Sequence, residues 1–445
     1  MCVDLKDVSK DLISNHVRYL MAAFADLDGI LRAKLIPVEH LDTVMETGAG
    51  FAGFAVGSLG QGPHEPDLVV RPDLDRWVAL ADDPSVAWTI GDLFLDPDPW
   101  RFCTRSLLKR TLQTMYQQGI VPKAGIEAEF FLVRDNGEGQ IVPADPHDRA
   151  PKTCYQQDVL ARHLDFLTQA VEGLRGLGID VYQIDHEDAW SQFEINWRYD
   201  EALATADRFA YLKFWVKRLA MKQGLIATFM PKPFPALTGS GAHVHLSLWD
   251  SFQNVNLFDD HKDPYGLSSL AYAFIGGVLA HAPALAAFVA PTVNSYKRLN
   301  NSSSRSGATW SPTTITLGAN NRTHLIRIPG PGRFEFRAMD SAVNPYLGLA
   351  AILVAGMDGI TRKLRPPTPS LENMYTVPAF DHPDRQITRL PATLDRALDS
   401  LEQDPVFSDA FGEDFVTLFL KYKREEWDAF HNVVSPYEVS QYLHF

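Results

Sequence analysis

The chain has 445 residues, of which 46% are apolar and 22% are charged, and its formal net charge is −14. This length can bury a large core in two or three domains, and the acidic balance argues against nucleic acid or an anionic membrane as the main partner. The three widely spaced cysteines (Cys2, Cys103 and Cys154) form neither a disulfide framework nor a metal knuckle, so we expect a reduced, cytoplasmic setting.

The first hundred residues predict a small domain of mixed β structure. Two strand-like runs, 17–26 and 30–37, are joined through Asp28-Gly29, a dipeptide that strongly favours a short hairpin. Further along the chain we predict a helix at 106–119, strands at 124–133, 179–185 and 225–230, and helices at 157–178 and 201–224. The change of pattern places a domain boundary near residue 105 and gives domains 1–105 and 106–445.

Three later segments have distinct compositions. Residues 270–290 have the length of a membrane span, but they include Pro283 and stand alone, so we predict a buried core helix broken near the proline. The proline-rich segment 365–390 is predicted to be a surface excursion. Near the end, Ser435 and Glu438 have the spacing of a capping box, which predicts a short final helix whose aromatic residues need burial.

The stretch AGIEAEFFLV, residues 124–133, has the composition of a buried strand. Because side chains alternate along a strand, Glu127 and Glu129 project to the same face, about 7 Å apart. Two like charges in an apolar setting cost several kcal/mol unless positive charge offsets them. A solvated edge strand is the simpler explanation of the pair, but the apolar residues on both sides argue against it.

Three further segments place charged groups beside apolar runs. They contribute Glu187 and Glu194 in HEDAWSQFEINW, His243 and His245 on one face of a strand, and Arg333, Glu335 and Arg337 on one face of another. Each segment alone has a simpler explanation, as loop residues, a weak ligand pair or a surface ladder of salt bridges. Together, the four segments supply five carboxylates and two histidines, with arginines close by.

This inventory is typical of a site for hard divalent cations, Mg²⁺ or Mn²⁺, and a histidine favours Mn²⁺ at one position. Five carboxylates exceed what one ion needs, so we expect two or more ions. Clustered metal ions beside arginines bind and transfer phosphoryl groups. Since the sequence has no Walker-type or kinase-type glycine loop, a nucleotide must be held in another way.

The combination of motifs resembles the glutamine synthetase family along nearly the whole chain. The resemblance is carried by GIEAEF, QIDHEDAWSQFEIN, LTGSGAHVHLS, APTVNSYKRL, NNRTHLIRIP and RFEFRAMDSAVNPYLGLAAILVAGMDGI, in this order. It implies an α+β fold, with a small N-terminal β-grasp domain and a large catalytic domain whose curved antiparallel sheet forms a bowl flanked by helices. It also implies a homo-oligomer of stacked rings, a dodecamer, in which the neighbour's small domain completes each active site.

The resemblance implies an ATP-dependent reaction in which glutamate is phosphorylated on its γ-carboxylate and an amine displaces the phosphate. Six residues match metal ligands of the family, namely Glu129, Glu187 and Glu194 for one ion and Glu127, His243 and Glu335 for a second. Glutamate-binding positions are matched by Gly239, Arg298 and Arg337, and nucleotide or phosphate positions by His245, Ser247, Arg322, Arg327 and Arg333. Arg322 is also expected to act in catalysis, and Asp26 matches the aspartate that deprotonates the incoming ammonium across the subunit boundary.

The sequence departs from the family where the amine binds. In ammonia-using members a flap glutamate after the arginine of NSYKRL accepts the ammonium's proton, whereas residues 298–333 here contain no acidic residue and carry Trp310 in a longer loop. Thr238 replaces an asparagine that usually contacts glutamate, and a lysine that usually contacts the nucleotide is absent. Trp190 and Phe193 are candidates either for an apolar amine pocket or for core packing.

Loss of the flap carboxylate removes a counter-charge for ammonium, and the sequence is most similar to the branch that includes γ-glutamylmethylamide synthetase. We therefore expect a ligase that joins L-glutamate to methylamine or another small alkylamine. An ammonia-dependent glutamine synthetase, with Asp26 as principal proton acceptor, is the alternative. A non-catalytic relative should have lost metal ligands, and a guanidino kinase would need a reactive cysteine near these motifs, which the sequence lacks.

Overall fold

The structure is a computed structural model that describes residues 5–300, 304–376 and 387–445, so part of the predicted proline-rich excursion lies outside the described residues. The helices are α1 (Leu5–Ser14), α2 (Leu41–Thr47), α3 (Gly53–Val56), α4 (Thr104–Tyr116), α5 (Gln157–Arg162), α6 (Leu164–Arg175), α7 (Ala202–Lys222), α8 (Ser269–Ala280), α9 (Ala282–Val289), α10 (Ser295–Leu299), α11 (Pro345–Arg362), α12 (Leu394–Glu402), α13 (Pro405–Phe411), α14 (Glu413–His431) and α15 (Pro436–Tyr442). The strands are β1 (Tyr19–Ala25), β2 (Leu31–Pro37), β3 (Ala49–Phe51), β4 (Leu68–Pro72), β5 (Val78–Leu80), β6 (Asp83–Leu95), β7 (Asp98–Pro99), β8 (Ile120–Ile126), β9 (Ala128–Asp135), β10 (Ile141–Pro143), β11 (Val181–His186), β12 (Gln192–Trp197), β13 (Asp200–Glu201), β14 (Ile226–Thr228), β15 (Val244–Asp250), β16 (Leu317–Gly318), β17 (Ile326–Gly330) and β18 (Arg333–Phe336).

A mixed seven-stranded sheet forms the N-terminal part of the fold. Its order is β2-β1-β6-β4-β3, with β5 and β7 also paired to β6, and β1 runs parallel to β6. The predicted hairpin is confirmed, because β1 and β2 pair antiparallel with Ala25 opposite Leu31. Gly29 in its turn has a φ of 75°, which glycine adopts without strain, and a Cβ there would lie 2.8 Å from Cα of Asn344.

Two further sheets form the bowl. One has the order β10-β9-β12-β11 with β14 beside β9, and the other has the order β13-β8-β15-β18-β17-β16. The chain passes between them at Glu127, whose N–H donates to the carbonyl of His243 at 3.0 Å, and Glu129 N–H donates to the carbonyl of Gly241 at 3.3 Å. These bonds join the two sheets edge to edge, and the predicted curved antiparallel sheet flanked by helices is confirmed. Within it, β16 and β17 pair in parallel.

A single buried arginine ties the N-terminal sheet to the helices of the bowl. Arg105, on α4, contacts Asp73 at 2.6 Å, Asp92 at 3.2 Å and Asp207 of α7 at 2.9 Å. The hydroxyl of Tyr346 on α11 also donates to Asp207, at 2.8 Å. A buried charge with this many partners holds its neighbours in one geometry, since removing any partner would leave charge uncompensated. The division of the chain at residue 105 into two domains stays a prediction.

The apolar segment 270–290 forms two buried helices, α8 and α9, which meet at His281 with a bend of 77°. The predicted break near Pro283 is therefore confirmed. Across the described parts of the chain, no single helix has the length and apolar character to cross a membrane, although this bent pair meets those two criteria together.

Two predictions about helices had different outcomes. The single helix at 157–178 was wrong, because α5 and α6 are separated at His163, whose ring packs against Phe193 with centroids 5.0 Å apart. The final helix is confirmed, and its capping box has both reciprocal bonds between Ser435 and Glu438. The terminal aromatic residues are not buried within the described chain, since Phe445 is 99% exposed.

His281 also fastens the helix junction. Its Nδ1 lies 2.6 Å from Asp404 and its Nε2 lies 2.8 Å from Asp358, which also pairs with Arg362. Burial opposes the charge, but the hydrogen bonds from Asp404 and Asp358 raise the pKa of His281 above its ordinary value. The imidazolium therefore bridges the chain between α8 and α9 to α11 and to the start of α13.

We expect His281→Gln to lower the melting temperature at pH 6 by about 3 °C and to have much less effect at pH 9. Because the folded-state pKa is raised, the stabilisation is fully present below about pH 6.5 and is lost as the pH rises through the folded-state pKa. A charged hydrogen-bonded group of this kind contributes about 1.5–3 kcal/mol. Melting curves from pH 6 to pH 9 test this, with exposed His261→Gln as control, and a loss that is equal at every pH would contradict it.

Candidate active site

Strand register places acidic residues side by side in the five-stranded sheet. Glu129 on β9 lies opposite Glu194 on β12, and Glu194 lies opposite Asp185 on β11. Glu187 follows β11, and oxygen atoms of Asp185, Glu187 and Glu194 all lie within 4.8 Å of one another. Asp185 was not among the predicted ligands, although it stands two residues before Glu187, the same spacing that separates Glu127 from Glu129.

Glu129, Glu194 and Asp185 form one row of facing side chains, and a second row of facing charged residues crosses the six-stranded sheet. His245 on β15 lies opposite Glu335 on β18, which lies opposite Arg327 on β17. Arg327 donates to Glu335 at 2.8 Å, and Arg337 also donates to Glu335. Glu127 lies where the two rows meet. Its carboxylate and the ligand atoms of His245 and Glu335 lie within 4.8 Å of one another, close enough to bind one metal ion.

Glu127 belongs to a further group, with Glu194 and His243, whose ligand atoms also lie within 4.8 Å of one another. Nδ1 of His243 lies 3.0 Å from Glu127, 3.7 Å from Glu335 and 3.8 Å from Glu129. All six predicted metal ligands are therefore in one connected cluster. Their division between two ions stays a prediction.

Hydrogen bonds from histidines and arginines hold one end of this cluster in its charged form. Burial alone would raise the pKa of Glu127, but hydrogen bonds from His243 and His245 hold it well below its usual range. Burial acts on Glu335 in the same direction, and the guanidinium of Arg337 outweighs it and lowers the pKa of Glu335 to about 2. These two carboxylates are charged at neutral pH.

The opposite end of the cluster lacks such compensation. Burial, followed by repulsion from Glu129, raises the pKa of Glu187 to about 8. Burial and the neighbouring Glu187, Glu127 and Glu129 carboxylates raise the pKa of Glu194 well above its usual range, although Asn196 donates to it at 2.6 Å. A cation bound at this end would remove the repulsion.

The donor set fits a hard divalent cation. Carboxylate oxygens are the ligands that Mg²⁺ and Mn²⁺ prefer, and an imidazole nitrogen suits Mn²⁺ in addition. Nε2 of His243 is buried and has no hydrogen-bond partner among the described residues, so the ring has coordination capacity that the protein itself does not use. Glu129 is held in place by bonds from Gly241 N–H at 2.7 Å and Gln192 at 3.3 Å.

The three predicted glutamate-binding residues lie next to this cluster. Arg298, on α10, donates to the carbonyls of Ala338 at 3.0 Å and Arg337 at 3.2 Å. Gly239 packs so closely on Arg298 that a Cβ there would lie 3.0 Å from its Cγ. The carbonyl of Gly239 accepts a bond from Gln192 at 3.1 Å, and Gln192 also reaches Glu129. Gln192 therefore connects the carboxylate cluster to the predicted glutamate site.

A cleft of about 480 Å³ opens beside Glu127 and His245. Its walls also include Ser247, the exposed Arg333, and Trp249, which stacks near Tyr199. Aromatic walls and a polar end beside the carboxylates suit a nucleotide whose phosphates point towards the cluster.

The other two predicted phosphate-binding arginines differ in position. Arg327 lies in the row with Glu335, and it also donates to Asn320 at 2.9 Å. Arg322 is exposed on the loop that precedes β17. The structure therefore brings Arg327, but not Arg322, into the network of charged groups around Glu335.

Asp26 lies apart, in the hairpin of the N-terminal sheet, and it is 1% exposed. It accepts hydrogen bonds from Ile30 N–H at 2.9 Å and from Arg32 at 2.9 Å. Burial raises the pKa of Asp26 despite the Arg32 partner. Its predicted role in deprotonating the amine, exerted across a subunit boundary, stays a prediction.

The two aromatic candidates for an amine pocket have different environments. Phe193 is fully buried and packs against the rings of Phe130 and His163, so core packing explains it. Trp190 is half-buried, and its indole N–H donates to the carbonyl of Ala150 at 2.9 Å. Only Trp190 borders the loop that lacks acidic residues.

The curved antiparallel sheets thus gather carboxylates, histidines and arginines into one connected site. The model of the glutamine synthetase catalytic domain matches residues 101–442. The chain is 44% identical to a glutamine synthetase of Rhizobium leguminosarum bv. phaseoli over 97% of both chains, and 42% identical to a glutamate–methylamine ligase of Methyloversatilis universalis over 98% of both chains. A solved structure of a GmaS/ADP complex has a TM-score of 0.92 at 42% identity, covering 99% of this chain and 100% of that chain. The protein belongs to the glutamine synthetase family.

We expect Mn²⁺ to raise the melting temperature and Glu194→Gln to reduce that rise. Without metal, the variant should be about as stable as the wild type, because the raised pKa of Glu194 already favours the uncharged acid and glutamine is uncharged as well. A ligand at 100 times its Kd stabilises a protein by about 2.7 kcal/mol, and this gain should shrink in the variant. Thermal melting with and without Mn²⁺ measures both effects, and exposed Glu438→Gln is the control. A full Mn²⁺ response in Glu194→Gln would contradict the site.

Proposed function

We propose that this protein catalyses the ATP-dependent ligation of L-glutamate to a small alkylamine, with methylamine as the preferred acceptor. The observation that carries the proposal is the absence of any acidic residue from Arg298 to Arg333. Ammonium needs a counter-charge and partners for four N–H groups, whereas methylammonium has three N–H groups and a methyl group. Both ions carry one positive charge, so a missing carboxylate weakens the binding of both, but ammonium also loses the acceptor for a fourth N–H group that methylammonium does not have. The 42% identity to a glutamate–methylamine ligase supports this acceptor.

The carboxylate cluster is proposed to hold two or more Mg²⁺ or Mn²⁺ ions. One ion would be held by Glu129, Glu187 and Glu194, with Asp185 beside them, and another by Glu127, His243 and Glu335. When bound, such ions neutralise phosphate oxygens and align the γ-phosphoryl group for attack.

In the proposed reaction, the protein holds two substrates in line across the cluster. Gly239, Arg298 and Arg337 orient glutamate so that a γ-carboxylate oxygen attacks the γ-phosphorus of ATP, and the bond from that phosphorus to ADP breaks. The nucleotide and its phosphates are held by His245, Ser247, Arg322, Arg327 and Arg333. Arg322 also stabilises the negative charge on the phosphoryl group while it is transferred. Alignment of this kind supplies much of the rate enhancement in phosphoryl transfer.

The second half of the proposed reaction forms the amide. The amine nitrogen attacks the acyl carbon of γ-glutamyl phosphate, the carbon–oxygen bond to phosphate breaks, and inorganic phosphate leaves with the proton that the nitrogen loses as the amide forms. The ammonium form must first lose a proton, and Asp26 of the neighbouring subunit in a ring-shaped homo-oligomer is proposed to accept it. An ammonia-dependent reaction is the second candidate, and the 44% identity to a Rhizobium glutamine synthetase favours it.

We expect methylamine to be used with a kcat/KM at least about tenfold above that of ammonium, a difference of about 1.4 kcal/mol. The measurement is ADP release with glutamate, ATP and Mg²⁺ or Mn²⁺, with ammonium, methylamine, ethylamine and aniline offered separately and then in competition. Amide products identified by mass spectrometry control for ATP hydrolysis. A clear preference for ammonium would replace the proposed acceptor.

We expect Glu129→Gln to lower kcat for ligation at least about 100-fold, because its carboxylate is proposed to bind metal. The amide oxygen of glutamine can still accept the bond from Gly241 N–H, so the melting temperature and circular dichroism should stay close to those of the wild type. Glu438→Gln again serves as the control. Turnover at the wild-type rate in Glu129→Gln would refute the assignment.

A further inference from the structure

Trp190 is in contact with two arginines from different parts of the chain. The guanidinium groups of Arg149 and Arg305 lie 4.9 Å and 4.8 Å from its ring centroid, within the range of cation–π attraction. The bond from the indole N–H to Ala150 fixes the ring, and Arg305 N–H donates to the carbonyl of Ala236 at 3.2 Å. Trp190 thus anchors the loop that lacks acidic residues at Arg305.

Asp188 makes a second anchor for the same loop. The hydroxyl of Ser306, next to Arg305, donates to Asp188 Oδ2, and the hydroxyl of Thr238 donates to the same oxygen. Thr238 precedes Gly239, a proposed glutamate-binding position. Asp188 therefore joins the loop to the edge of the glutamate site through two hydroxyl groups.

Within this loop, the segment 305–310 is also attached at its C-terminal end. The carbonyl of Trp310 accepts a bond from Arg337 at 3.1 Å, and Arg337 pairs with Glu335 in the carboxylate cluster. Gly307 and Trp310 have φ values of 87° and 53°. Such a left-handed conformation is unfavourable for tryptophan and persists only where surrounding contacts hold it. Residues 305–310 are therefore held between Trp190 and Arg337.

We infer that Asp188 and Trp190 are positioning residues that fix residues 305–310 beside the glutamate site, so that γ-glutamyl phosphate reacts with the amine instead of water. The inference rests on the proposed function. Attack by the amine nitrogen on the acyl carbon breaks the bond to phosphate and gives the amide. Attack by water breaks the same bond but returns glutamate and phosphate, so ATP is consumed without ligation. A loop held at both ends excludes water, and a loosened loop admits it.

The first test measures amide formed per ADP released. Arg305→Gln and Ser306→Ala each remove one loop contact without touching a proposed metal ligand, and each should lower this ratio at least threefold. Arg305→Lys keeps the cation over Trp190 and should recover much of the ratio. Arg424→Gln, which removes a pair with Asp399 and Glu402 elsewhere on the surface, is the matched control with an unchanged ratio.

The ratio is measured with whichever of ammonium and methylamine the wild type uses faster. A preference for ammonium would therefore defeat the proposed acceptor without affecting this test. A wild-type ratio in both Arg305→Gln and Ser306→Ala would overturn the positioning role.

The second test needs no turnover. Trypsin cleaves after arginine, so the bond between Arg305 and Ser306 reports how firmly the loop is held. Asp188→Asn and Trp190→Leu should each speed cleavage at this bond about tenfold, as detected by mass spectrometry of the new N-terminus at Ser306. Arg424→Gln should leave the rate unchanged. Wild-type cleavage rates in both variants would overturn the inference.

Discussion

The crowding of carboxylates along the sheet is the constraint on which the rest of the structure depends. Two unit charges about 5 Å apart repel by about 3 kcal/mol at an effective dielectric constant near 20, so a row of them is tolerated only with compensation. The protein compensates one end with histidines and arginines, and there Glu127 and Glu335 keep low pKa values. At the other end it leaves Glu187 and Glu194 with raised pKa values. That end would gain most from a bound cation, because a cation would remove the repulsion among its carboxylates.

Such a cluster needs a rigid frame, because mutual repulsion would otherwise move the strands apart. The hydrogen bonds at the junction of β8 and β9 supply part of that frame, since they join the two sheets at Glu127 itself. Arg105 supplies another part, because one buried guanidinium connects the N-terminal sheet to α7 and, through Asp207, to Tyr346. Asn344 adds a bond to the carbonyl of Asp26 at 2.8 Å. The hairpin and the bowl are thus held in a fixed relation.

The sequence predicts what depends on local pattern. Asp28-Gly29 is enough to predict the hairpin. The single strand predicted at 124–133 was wrong in part, because β8 ends at Ile126 and β9 begins at Ala128 in a different sheet, so Glu127 lies at their junction and not on a strand face shared with Glu129. Features that depend on the register between distant strands could not be predicted, because that register is determined by side chains that lie far apart in the sequence. The membership of Asp185 in the cluster required the pairing of β11 with β12. The contacts of Asp188 with Thr238 and Ser306 join three loops and leave no periodic signal, and they were missed.

Two free energies indicate how a loop without carboxylates would select its acceptor, namely the gain from burying a methyl group and the difference needed for a tenfold preference. Burying the methyl group of methylamine gains about 0.8 kcal/mol, which is less than the roughly 1.4 kcal/mol needed for a tenfold preference. Apolar contact with Trp190 therefore cannot supply the preference alone, and the remainder must come from weaker binding of ammonium. A loop without carboxylates offers ammonium no charged acceptor for its fourth N–H group, whereas methylammonium has a methyl group in that place. The absence of acidic residues from the loop and its fixation on Asp188 and Trp190 would then act together, because a loop without a carboxylate can discriminate by shape only when it is held still.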